Sequence, residues 1–74
     1  MNGEYIQLQS NGYTVKIGVE NIWPEMVQDL LNQIKESTFK WFNFFADDRI
    51  YYHDGISSLL CKEVNHENKV IVFQ

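Results

Sequence analysis

Asn11-Gly12 stands between two runs of alternating apolar and polar residues, and no other short feature restricts the fold of this chain as much. Before it, Ile6 and Leu8 face one way while Tyr5, Gln7 and Gln9 face the other. After it, Tyr13, Val15, Ile17 and Val19 share a face against Thr14, Lys16 and Gly18. Asn and Gly both accept the positive φ that a tight hairpin turn demands, so the pattern predicts strand, two-residue turn, strand.

The period then changes. Gly18 to Trp23 reads as a connection, and Pro24 suits the first turn of a helix, where its missing N–H costs nothing. Glu25 beside it complements the positive end of the helix dipole. Val27, Leu30, Leu31 and Ile34 recur at i, i+3, i+4 and i+7, which makes one apolar stripe. Gln28, Asp29, Asn32, Gln33 and Glu36 lie mostly off it. A helix over 24–36 is expected, with its stripe on the hairpin.

Residues 37–46 fit either an extension of that helix or a strand. Ser37-Thr38 is a weak helix stop, and the aromatic density of the run favours a strand from Phe39 to Phe45. Ala46-Asp47-Asp48 reads as a turn, because Asp can bond its own backbone. Arg49 to His53 is a short β-prone run. Asp54-Gly55 marks a turn or a bulge, Ser57 to Val64 another strand, and Asn65 to Asn68 a polar turn. Lys69 to Gln74 closes the chain as a strand, and its near-continuous apolar character marks it as an inner strand or a covered edge. The reading is a single α+β domain over 1–74, order β-β-α-β-β-β(-β), with one amphipathic helix packed on a curled antiparallel sheet. Such a sheet leaves an edge that can recruit a partner strand or a second copy, giving a homodimer.

A 74-residue chain buries only roughly 60% of its unfolded surface. Core and deep cleft compete for the same few side chains, which favours a binding module over an enzyme. Eleven Phe, Trp and Tyr rings are more than one helix and one sheet readily cover, so some are expected at the surface. Ten carboxylates against six Lys and Arg give a formal net charge of −4. That balance disfavours a phosphate backbone or an anionic membrane and mildly favours a basic protein partner. Cys61 is the lone cysteine, so no intrachain disulfide forms, and a reducing, cytoplasmic setting is expected. The first residues lack the basic and apolar runs of a signal peptide.

Chemistry-bearing groups are sparse. His53, Asp54, Cys61, His66 and Glu67 are the conceivable metal ligands, but none falls at a metal-site spacing, and neither metal nor cofactor is expected. Cys61 shares a face with Leu59 and reads as a small core residue rather than a nucleophile paired with His53 or His66. Ser57-Ser58 near His53 adds nothing firmer. Asp47-Asp48 reads as a turn rather than an acid–base pair, and the four glycines are too scattered for a phosphate loop. Phe39, Trp41, Phe42, Phe44, Tyr51 and Tyr52 could stack on single-stranded nucleic acid, but Lys40, Arg49 and Lys62 are offset by Asp47, Asp48 and Asp54, so no direct nucleic-acid binding is expected. Glu25, Asp29, Glu36, Asp47, Asp48 and Asp54 could form a face that mimics DNA, though an ordinary solvated surface accounts for most of them. Trp and Tyr are enriched among binding hot spots. Several rings of the segment from Phe39 to Tyr52 must be core, and others project outward as anchors; the candidate partner-binding residues are Trp41, Phe44, Tyr51 and Tyr52, with Asp47 and Asp48 beside them.

In size, acidity, single cysteine and α+β pattern, the chain resembles the small proteins encoded by bacteriophages and mobile elements. The stretches Trp41-Phe42-Asn43-Phe44 and Arg49-Ile50-Tyr51-Tyr52-His53-Asp54-Gly55-Ile56 share that character. Anti-CRISPR proteins and the uracil-DNA glycosylase inhibitor are similar in style. The resemblance implies a protein that binds and blocks a host or defence protein without catalysis. The expected function is such an inhibitor, of a partner that binds nucleic acid. The alternative is a small nucleic-acid-binding or self-associating regulatory protein.

Overall fold

The computed structural model describes residues 5–20, 22–36 and 40–74. It contains strands β1 (Tyr5–Ser10) and β2 (Tyr13–Gly18), helix α1 (Pro24–Glu36), a 3-10 turn (Trp41–Asn43), and strands β3 (Arg49–Tyr51), β4 (Ser58–Asn65) and β5 (Val70–Phe73). The α+β class and the β-β-α-β-β-β order agree with the sequence reading. The strands form one sheet in the order β1-β2-β5-β4-β3.

The hairpin forms as its pattern dictates. Asn11 (φ 49°) and Gly12 (φ 86°) are both left-handed, and Ser10 pairs with Tyr13 across the two-residue turn. β5 is an inner strand between β2 and β4, as its apolar run implies. Its pairing with β4 is antiparallel, but its pairing with β2 is parallel, in register Thr14↔Val70 to Ile17↔Phe73. The sheet is thus mixed rather than wholly antiparallel. The geometric reason lies between β2 and β5: helix and second hairpin return the chain to the start of β2, where the Thr14 N–H donates to the Lys69 carbonyl at 2.8 Å. In β4, Cys61 opposes Phe73 and Glu63 opposes Val72, so Lys62 is an extra residue and bends the strand as a β-bulge.

Odd-numbered residues of β2 (Tyr13, Val15, Ile17) and β5 (Ile71, Phe73) are buried, with Leu59 and Cys61 of β4 and Ile50 of β3. Leu30 and Ile34 of α1 complete this core, and Met26 and Leu31 pack against it. The helix is tied to the β3–β4 loop by polar side chains. Asp29 accepts from the His53 backbone N–H at 3.0 Å and pairs with its ring at 2.9 Å, while Gln33 donates to the Tyr51 carbonyl at 3.0 Å. No helix among the described residues is long and apolar enough to cross a membrane.

The expected strand over Phe39–Phe45 is corrected by the structure. Its first residue, like Ser37 and Thr38, lies outside the described residues; the remainder is a 3-10 turn followed by an irregular segment. A strand alternates every second residue, which would place Trp41 and Phe45 on one face and Phe42 and Phe44 on the other. A 3-10 turn instead brings positions i and i+3 together. Trp41 and Phe44 accordingly both point inward, with ring centroids 5.0 Å apart, and each packs on Phe73. Burying two large rings in that corner outweighs the β-propensity of the run.

Candidate functional site

The corner that holds Trp41 is built from four segments. Trp41 is 1% exposed and its indole N–H donates to the Ser10 hydroxyl at 3.0 Å, which links the turn to the end of β1. His66, in the β4–β5 turn, joins the remaining pieces. Its Nε2 lies 2.9 Å from the Phe44 carbonyl, and its Nδ1 lies 2.8 Å from the Tyr13 hydroxyl. A carbonyl only accepts, so Nε2 donates its proton to Phe44, and Nδ1 shares the second hydrogen bond with the Tyr13 hydroxyl, which can donate or accept. Downstream, the Asp48 carboxylate accepts from the Phe45 backbone N–H at 2.8 Å. Asp47 takes a left-handed φ of 81° in the turn, and its N–H bonds the Cys61 carbonyl.

This scaffold turns two other rings outward. Phe42 is 62% exposed and Phe45 61% exposed, three residues apart, the complement of the buried Trp41 and Phe44. Phe45 also meets the His66 ring edge-on, with centroids 5.5 Å apart. The exposed residues from 40 to 47 are Lys40, Phe42, Asn43, Phe45, Ala46 and Asp47.

The six residues singled out from sequence are divided by the fold. Trp41 and Tyr52 are core side chains and do not project outward as anchors. Phe44 is half-buried against the core, and Asp48 is half-buried and spent on its loop. Asp47 and Tyr51 are exposed. Sequence reasoning missed the outward roles of Phe42 and Phe45, and of Trp23 and Ile56, which are also exposed. The signal for the two Phe rings was a period of three in place of two.

The groups weighed for catalysis or metal binding are held structurally. Cys61 is fully buried, and its thiol donates a long contact, 3.8 Å, to the Glu63 carbonyl. Burial first, then the nearby Asp48 carboxylate, pushes the thiol pKa up to about 11. The Asp54 carboxylate accepts from the N–H groups of Ile56 and Ser57, both at 2.8 Å, and these bonds hold its pKa below the ordinary value. A shallow depression of about 300 Å³ is lined by Glu25, Met26, Asp29, Tyr52, His53 and Asp54. The Tyr52 hydroxyl is buried without a partner among the described residues, and desolvation, with Asp29 and Asp54, raises its pKa. Asp29 and Asp54 are already engaged by the loop, and among the described residues no three His, Cys, Asp or Glu side chains converge on a metal geometry.

Comparison with known proteins gives no relative: no family model matches the chain, and neither a curated protein nor a solved structure does.

Proposed function

We propose that this chain is a non-catalytic protein-binding module that occludes a partner's working surface, in the manner of the small mobile-element inhibitors it resembles. The partner class is a host or defence protein that handles nucleic acid. The observation that carries the reading is the pair Phe42 and Phe45, held more than half exposed by a turn whose other rings are anchored in the core. Exposing two Phe rings from a rigid, hydrogen-bonded support wastes apolar surface unless something covers it. A preorganised aromatic pair is also the low-entropy anchor that tight interfaces use. The formal charge of −4 favours a basic surface, which proteins that handle nucleic acid commonly present.

The test is capture from the native host with a tagged chain, compared with a Phe42→Ser/Phe45→Ser double variant. A stoichiometric protein partner held by the wild type and lost by the folded variant is expected. A partner held equally by both, or binding of single-stranded oligonucleotide with steep salt dependence in place of protein, contradicts the reading.

A further inference from the structure

The two edges of the sheet are built differently. The β3 edge is three residues long and carries the charged Arg49, and the Tyr51 carbonyl is capped by Gln33. These are features that discourage strand addition. The β1 edge is six residues of Tyr-Ile-Gln-Leu-Gln-Ser, with no Pro, no bulge and neither Lys, Arg, Asp nor Glu. Because Ser10 and Tyr13 close a two-residue turn as a bonded pair, Leu8 and Ile6 follow in phase as residues bonded to β2. The N–H and C=O groups of Tyr5, Gln7 and Gln9 therefore face the open edge.

Beside that edge runs a groove of about 450 Å³ between β1 and the start of α1. Ile6, Val19, Ile22, Pro24, Val27 and Gln28 line it, and none of them is charged. Trp23, between two of these lining residues in the chain, is 68% exposed.

We propose that β1 is a self-association strand, pairing antiparallel with β1 of a second copy to join two sheets into one. The choice of a second copy rests on charge and on self-complementarity. Each chain carries −4, so copies repel wherever carboxylates meet, and among the described residues neither β1 nor the lining of its groove carries one. A cationic foreign strand would gain no electrostatic advantage there. With the two-fold axis through Gln7, the bonded pairs are Gln7 with Gln7 and Tyr5 with Gln9, while Ile6 faces Leu8 at the close, non-bonded positions. The half-buried Ile6 and Leu8 of each copy then extend over the groove side of the other, an isologous contact. This surface is separate from Phe42 and Phe45, and the two proposals fail independently.

Sedimentation equilibrium of the whole chain from micromolar to millimolar concentration reads the prediction directly. Wild type is expected to approach twice the chain mass. Gln7→Pro, which removes an edge-facing N–H and spares the β1–β2 ladder, is expected to abolish the dimer while keeping the far-ultraviolet circular dichroism. Gln7→Lys, which sets like charges opposite one another, is expected to weaken it roughly tenfold or more. Should Gln7→Pro unfold, Gln7→Lys and a mixed-label NMR sample decide: interchain contacts between the α-protons of Ile6 and Leu8 are expected. A wild type that stays monomeric, a dimer indifferent to Gln7→Lys, a dimer without those contacts, or edge amides that respond only to a foreign peptide overturns the proposal.

Discussion

Replacing Trp41 by Ala removes a ring that is 1% exposed, packs on Phe44 and Phe73, and donates to Ser10. Deleting a buried Trp side chain costs about 3–5 kcal/mol, from lost transfer energy and the cavity left behind. A chain of 74 residues has roughly 4–11 kcal/mol in total, so this one change consumes a large part of the stability. Ser10→Ala isolates the hydrogen bond at about 1 kcal/mol. Phe44→Ala, on the same inward side, is expected to cost more than about 2 kcal/mol. Phe42→Ala should stay within about 0.5 kcal/mol, as exposed positions do. Phe45→Ala forfeits its edge contact with His66, worth about 1 kcal/mol. Urea unfolding followed by circular dichroism gives all five values. The refuting pattern is specific: similar large costs at 41 and 45 with a small one at 44 are the signature of a strand, and would mean that the period of three is wrong.

Other expectations follow from the same contacts. Gly12→Ala should destabilise by about 1–2 kcal/mol in urea unfolding, although its Cβ would meet nothing within 4 Å, because φ is 86° there. Tyr13→Phe and His66→Ala, combined in a double-mutant cycle, should show a coupling of about 1 kcal/mol from the bridge between β2 and the β4–β5 turn. The Cys61 thiol is raised from 9.0 to about 11 in the folded chain, so between those values the unfolded state has lost a proton that the native state keeps. Stability is then fully present below pH 9 and falls as pH rises toward 11, and Cys61→Ala should flatten that slope in unfolding curves across the window. The raised Tyr52 pKa acts in the same direction above its ordinary value of 10.0 and remains in the variant. For Asp54 the sign reverses: its lowered pKa gives stability present above 3.8 and lost as pH falls, which Asp54→Asn should remove.

The first half of the chain was legible because its signals are local. A strict period of two around Asn11-Gly12, then Pro24 and an i, i+3, i+4, i+7 stripe, leave little freedom, and the helix bounds Pro24–Glu36 match the expectation. Two features were not local. The parallel pairing of β2 with β5 depends on where a long connection delivers the chain, which no window of sequence records. The 40–45 segment depends on a partner outside it: Trp41 turns inward because Phe73, Ser10 and Phe44 receive it. Aromatic propensity alone pointed to a strand, and that error carried into the site. Trp41 and Tyr52 could be read as core or as anchors, because Trp and Tyr are common at interfaces and their size also makes them the best filling for a small core; the fold uses both as core. Phe42 and Phe45, less typical of hot spots, are the ones left outside. Cys61 was placed correctly, since alternation with Leu59 is again a local signal.

Site-specific photo-crosslinking tests the central functional claim most directly. A photoreactive phenylalanine analogue placed in turn at positions 42 and 45, and at the exposed Lys35 in the last turn of helix α1, is irradiated in the native host. The account predicts one protein adduct, the same from positions 42 and 45, and none from position 35. Adducts of equal yield from all three positions, or an adduct from position 35 alone, would contradict it.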